Sequence, residues 1–362
     1  MPLRLAILGL DTFQHDWLAG VAALRAAGEI EPVAIGHHSA AAARDVAEFF
    51  KPQGVIPTFD DPRRFLQDAT PQVLLMDRPA NVSLDFLRTC AAQQIAILSL
   101  GPPVESLAEA QALADVLEPR THLLYIWPRF ADSPAARRCA QADDFLRPIR
   151  FASASWLGVN HALAKTLPAE GRDLPVRSLS VLAWDLLGTL ITLMGLPTSV
   201  YAAIRGTIPS GNSFADISGA AAVTLRFPDN AAASLTLCDR APANAPEQPA
   251  QLSPANRRDL LLWGGGGGGG GGTLRITTDA YEFRDDAGNF VDASTPSSEP
   301  PAIAPVPLAV LREFLRHFAL PPSPHRGWPH HLEETAATLE ALVVSHRTGQ
   351  PESPDRLRHL RR

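Results

Sequence analysis

The chain opens on Leu3-Arg-Leu-Ala-Ile-Leu-Gly9-Leu-Asp11-Thr12-Phe13-Gln14-His15, an apolar run that stops at a glycine and gives way to helical spacing. A strand turning tightly into a helix aims backbone N–H groups at one point, a geometry suited to a pyrophosphate. Gly9 supplies the first glycine of a G-x-G-x-x-G pattern, while Asp11 and Gln14 stand where the second and third belong. Asp11 caps the helix in the ordinary reading. Turned inward, it sets a carboxylate against a phosphate, a repulsion of about 4 kcal/mol at ~4 Å in a surface-like dielectric. Turned outward, it leaves Thr12 to offer its amide and hydroxyl.

Other residues of chemical interest lie far along the chain. Asp185 interrupts the strongly apolar stretch Trp184–Met194. A buried carboxylate is costly there, so it pairs, caps the helix start or lines a pocket. His161 and Lys165 precede that stretch and are candidate proton carriers; Lys165 and Lys51 are the only lysines. His37, in His37-His38-Ser39, follows a short apolar run, where a histidine can meet a ribose 2′-phosphate or simply shape a turn. His330 and His331 are adjacent and point to different faces, so no metal site is read from them.

The first third alternates strand and helix signals. Strands are read at Leu5–Gly9, Pro32–Gly36, Gly54–Phe59, Val73–Met76 and Ile95–Leu98. Helices are read at Trp17–Ala27 and Ala40–Phe50, from Pro62, from a Ser83 cap to about Gln93, and over Val104–Leu117. Such alternation predicts a parallel sheet covered on both faces. Beyond residue 120 the pattern becomes longer strands, at Leu123–Trp127, Ile149–Trp156, Tyr201–Gly206, Ala220–Phe227 and Ala231–Cys238, with a hairpin at Phe227–Asn230. One apolar helix, Trp184–Met194, ends at Gly195 and Pro197, and helices near Leu308–Phe318 and His331–Ser345 close the chain. This is α+β grammar. Ala241–Pro254 reads as a loop, and the polyglycine run Gly264–Gly272 as a hairpin expansion rather than a phosphate cradle, because no helix follows it.

The 362 residues suffice for two domains, read as 1–120 and 121–362 with a Pro/Ala- then Gly-rich loop at 241–272. Net charge is −6 and 46% of residues are hydrophobic, which leaves no basic footprint for nucleic acid or an anionic membrane. No signal peptide or membrane span is read, and three widely spaced cysteines suit a reducing compartment, so a cytoplasmic protein is expected.

Several segments in order resemble one family. GVIPTFDDPRRFLQDATPQVLLM (54–76) resembles its third strand, short acidic helix and fourth strand. WPRFADSPAARRCAQADDFLRPIR (127–150) resembles the opening of its second domain. Leu225–Ser234 resembles a sheet hairpin, Gly272-Thr-Leu-Arg a later strand, and Glu340–Pro351 the closing helix. The family is that of glucose-fructose oxidoreductase, inositol dehydrogenase and MocA-type NAD(P)-dependent oxidoreductases. The resemblance implies an N-terminal Rossmann-like domain for NAD or NADP. It also implies an α+β domain whose large, mainly antiparallel sheet serves a sugar or polyol pocket and a homo-oligomer contact.

Against that plan, the family's E-K-P position holds Leu100-Gly101-Pro102, keeping the proline alone. Counting back from Gly195 puts Asp185 at the helix's histidine position and Gly188 at its aspartate position. The histidine expected after Pro79 falls at Ser83, and the ribose-binding acid at Gly36 or His37. Two classes of function follow. In the first, a sugar- or polyol-oxidising enzyme frames its cofactor with Gly9, Asp11, Thr12, His37, Pro79 and Pro102, and draws its acid–base groups from Asp185, His161 and Lys165. In the second, a catalytically inactive relative serves as a ligand-binding or assembly subunit.

Overall fold

The computed structural model describes residues 2–10, 15–37, 39–77, 82–117, 123–127, 146–157, 179–208, 213–214, 217–239, 257–265, 271–277, 280–294, 306–319 and 331–360. The chain divides into two compact units, Met1–Trp127 with Ala302–Leu332, and Pro128–Pro301 with Glu333–Arg362.

The first unit builds β1 (Leu3–Leu8), α1 (His15–Ala26), β2 (Ile30–Gly36), α2 (Ala40–Phe50), β3 (Thr58–Phe59), α3 (Pro62–Ala69), β4 (Val73–Met76), α4 (Leu84–Ala92), β5 (Ala96–Ser99), α5 (Leu107–Leu117) and β6 (Leu124–Ile126). Among the described residues these strands form one parallel sheet in the order β3-β2-β1-β4-β5-β6. Its central strands β4 and β5 are buried along their whole length, as a sheet covered on both faces requires. Leu5, Ile7, Val73, Leu75 and Leu98 join one core with Leu18, Val21 and Leu24 of α1.

That core is completed from far along the chain. α7 (Val306–Ala319), read from sequence as one of two closing helices, belongs to the first unit, where Val310, Leu311 and Phe314 enter the same core. A Cβ on Gly20 would stand 3.2 Å from Leu311 Cδ1, so the glycine lets the two helices approach. Most bounds move by a residue or two, and two readings shift further. The third strand shrinks from Gly54–Phe59 to Thr58–Phe59, since Pro57 has no N–H to give a ladder and contributes only its carbonyl, to Ile35. The helix read from Val104 begins at Leu107.

The second unit contains β7 (Ile149–Leu157), α6 (Leu179–Met194), β8 (Ser199–Thr207), β9 (Ser218–Arg226), β10 (Ala232–Cys238), β11 (Arg257–Gly264), β12 (Gly272–Thr277), β13 (Tyr281–Asp285), β14 (Phe290–Ser294), α8 (Leu332–Thr348) and α9 (Pro354–Leu360). Its described strands run β14-β13-β12-β11-β7-β10-β9-β8, antiparallel throughout except where β7 meets β10. Inward-facing Ala152, Ala154 and Trp156 of β7 alternate with half-buried Ser153 and Ser155, so one face is core and the other is open.

The edge strand β8 is stitched to α8 and the residues after it. Ala202 N–H donates to Ser345 Oγ and Ile204 N–H to His346 Nδ1, each at 3.1 Å. Val200 and Glu352 exchange both backbone bonds at 2.8 Å. Arg358 of α9 reaches Glu334 in the first turn of α8 at 3.1 Å. The polyglycine run joins antiparallel β11 and β12, whose ends pair Gly264 with Gly272. A Cβ on Gly264 would lie 1.7 Å from the Leu146 carbonyl oxygen, so backbone crowding requires a glycine there. Residues 266–270 and the loop read at Ala241–Pro254 lie outside the described residues.

Cys90 is fully buried on α4 and burial pushes its thiol up to about 12. Alkylation needs the thiolate. Native protein treated with iodoacetamide at pH 8 should therefore keep Cys90 unmodified by mass spectrometry, and denaturant should expose it. Labelling at equal rates in both states would contradict this packing.

Candidate functional site

The strand order of the first sheet reverses between β1 and β4, and in open parallel sheets ligands bind beyond the carboxyl ends of the strands at such a point. Four strand ends build this rim. After β1, Gly9 takes φ +74° and its N–H donates to the Gly36 carbonyl at 2.9 Å. A Cβ there would lie 2.4 Å from the Asp77 carbonyl oxygen. The glycine read as a phosphate-turn residue is thus required by the sheet itself. Asp11 and Thr12 lie outside the described residues; α1 begins at His15 with Asp16 in its first turn.

Beyond β2, Gly36 is enclosed: a Cβ would stand 2.7 Å from Leu8 Cδ1 and 3.1 Å from Phe65 Cδ2. His37 is only 4% exposed. Its N–H donates to the Phe59 carbonyl at 3.2 Å, and its Nδ1 accepts from Ser39 N–H at 2.9 Å, so that nitrogen carries no hydrogen. Ser39 in turn caps α2, accepting from Ala42 N–H. The imidazole's Nδ1 is thereby tied to the turn that launches α2.

Beyond β4 stands Asp77, buried, with its N–H donating to the Leu8 carbonyl at 3.0 Å. The sequence reading passed over it. The signal was present: a carboxylate directly after four buried apolar residues is as costly as Asp185 in its helix. The backbone carbonyl of Asp77 is the group that crowds Gly9. Pro79 lies outside the described residues, and Ser83 is an exposed cap that accepts from Phe86 N–H at 3.3 Å.

Beyond β5, buried Ser99 donates through Oγ to the Gly101 carbonyl at 2.6 Å, and Leu100 N–H donates to the Met76 carbonyl at 2.8 Å. Leu100 is fully buried and Pro102 half-buried. No proton-carrying side chain stands in the Leu100-Gly101-Pro102 segment.

In the second unit α6 starts at Leu179, five residues before the sequence reading, with Leu179 N–H donating to the Ile217 carbonyl at 2.9 Å. Asp185 therefore sits in the second turn, and the reading of it as a cap of the helix start is set aside. It is 8% exposed, and its carbonyl accepts from Thr189 Oγ1 at 2.9 Å. Gly188, one turn on, places its Cβ position 3.9 Å from Thr335 Oγ1 of α8. His161 and Lys165 lie outside the described residues. Gly9, His37 and Pro102 thus share the rim of the first sheet, and Asp185 belongs to the second unit. Among the described residues no three His, Cys, Asp or Glu side chains are placed to hold a metal ion, and no helix is long and apolar enough to cross a membrane.

No protein-family model matches the sequence, and no curated protein matches it. Solved structures do match. An oxidoreductase from Agrobacterium radiobacter, solved with NAD+, L-tartaric acid and magnesium, superposes with TM-score 0.71 at 14% identity, covering 99% of this chain and 100% of that one. An oxidoreductase from Thermotoga maritima gives 0.70 at 15% identity, covering 99% and 100%. Levoglucosan dehydrogenase with NADH and L-sorbose gives 0.69 at 15% identity, covering 98% and 99%. The fold, a parallel six-stranded sheet with a mainly antiparallel eight-stranded one, is that of these oxidoreductases.

Proposed function

We propose that the chain is an NAD(P)-dependent oxidoreductase of the glucose-fructose oxidoreductase, inositol dehydrogenase and MocA type, acting on a sugar- or polyol-like alcohol. The observation that supports this most is the end-to-end likeness to oxidoreductases, two of them solved with a nicotinamide dinucleotide and a polyhydroxylated small molecule. In this reading residues 1–120, with α7 packed into their core, hold the cofactor, and the remainder of residues 121–362 holds the substrate. Oxidising an alcohol requires a base to take the hydroxyl proton. Asp185 is the carboxylate we assign to it, with His161 and Lys165 as further proton carriers. The open face of the second sheet, where exposed Tyr201 stands among Ala203, Ala222 and Thr224 and exposed Trp263, on the more distant β11, stands beside Phe151, is assigned to a contact with a second copy.

The described residues fit a dinucleotide only in part. The tight Gly9 turn and the strand-order reversal suit a pyrophosphate. The end of β2 offers no carboxylate, and the end of β5 no proton carrier. That second lack favours one other reading, a catalytically inactive ligand-binding or assembly subunit of the same fold. Spectrophotometry at 340 nm separates the two. Purified protein given NAD+ or NADP+ and a panel of polyols and sugars is expected to reduce cofactor with at least one of them. Sugar binding by calorimetry without any turnover would select the inactive subunit.

A further inference from the structure

We infer that the adenosine ribose of a bound dinucleotide goes unread in this chain, so that NADH and NADPH are taken with equal affinity. The inference rests on the nicotinamide-dependent reading above and adds the selectivity of its cofactor site. In a sheet of this order the ribose of the adenosine half lies beyond the end of β2. A carboxylate there accepts both hydroxyls and repels a 2′-phosphate, whereas an arginine there accepts that phosphate.

Neither group stands at that strand end. Gly36 is walled in by Leu8 and Phe65, which leaves no room for a side chain. His37 is buried, with its backbone N–H committed to Phe59 and its Nδ1 to Ser39. Charged side chains do stand at the end of the next strand, β3. The pairing of Gly36 with Phe59 sets Asp60 alongside His37, one strand spacing (about 4.8 Å) further from the reversal point. Asp60, Asp61 and Arg64 are all exposed and carry both signs of charge. Among the described residues that end β2, no carboxylate stands to accept the diol or repel its phosphorylated form and no guanidinium to bind it, so the two cofactors are inferred to differ little in free energy.

Fluorescence titration of the full-length chain with NADH and with NADPH tests this. Dissociation constants are expected to agree within about threefold, since discrimination needs a dedicated contact or clash. A preference of about tenfold or more for either cofactor overturns the inference and leaves the oxidoreductase reading standing. Binding of neither overturns both. Asp60→Asn is expected to leave the ratio unchanged; a shift would place a ribose reader on β3 and overturn the inference. His37→Asp keeps an acceptor for Ser39 N–H and introduces the missing charge. Circular dichroism confirming its fold, it is expected to create a preference for NADH of about tenfold. An unmoved ratio in that folded variant means the ribose lies elsewhere, and the inference fails.

Discussion

Gly9→Ala is expected to lower the unfolding free energy by about 3 kcal/mol or more. Two independent effects add. At φ +74° a non-glycine residue costs roughly 1–2 kcal/mol from its own backbone sterics. The new Cβ also arrives 2.4 Å from the Asp77 carbonyl oxygen, which belongs to backbone and cannot swing aside. Relief requires β1 and β4 to part at their carboxyl ends, at the expense of the bond from Asp77 N–H to the Leu8 carbonyl. Urea denaturation followed by circular dichroism measures the loss. A cost below about 1 kcal/mol would mean that the turn opens freely and that its tightness is not set by the sheet. Loss of nucleotide binding in this variant would therefore report a displaced strand end before it reported a lost phosphate contact.

Asp185→Asn should instead leave the fold in place and lower turnover by about 10²-fold or more, the usual contribution of a positioned acid–base group. Asparagine keeps the shape and hydrogen-bonding capacity of the side chain and removes its ability to take a proton. The surroundings make the charge informative: the two turns around Asp185 are Leu182, Ala183, Trp184, Leu186, Leu187 and Leu190, all buried. Among them Asp185 is the carboxylate that the proposed function assigns to proton transfer. Steady-state kinetics with melting temperatures decide the matter. Unchanged kcat, or a large fall in melting temperature with no specific loss of activity, would remove Asp185 from the chemistry.

Much of the scaffold was legible because its signals are local. The bounds of α2 at Ala40–Phe50 and β4 at Val73–Met76 follow from apolar spacing, and Ser83 caps α4 as its residue type suggests. Less was legible where structure depends on distant partners. The amphipathic pattern of Val306–Ala319 says that a face is buried and cannot say that its partner is α1, nearly three hundred residues earlier. β13 was missed although Tyr281, Glu282 and Phe283 alternate buried and half-buried positions, and β14 because its exposed edge has no buried face to set a period. The parallel pairing of β7 with β10 has no local signature at all. At the rim, His37 reads as a cofactor ligand or a turn residue, and only the positions of Phe59 and Ser39 reveal how its polar atoms are engaged.

The stitching of β8 also governs what the second sheet can do in the company of other copies. A strand whose outward N–H groups already serve Ser345, His346 and Glu352 has no donor left at those positions to template a newcomer. Growth of that sheet by successive addition of chains is therefore blocked from one side, and joining at the β14 side can only close a pair. The end of α8 and the residues just after it thus shield an edge of the second sheet, a consequence unrelated to any ligand.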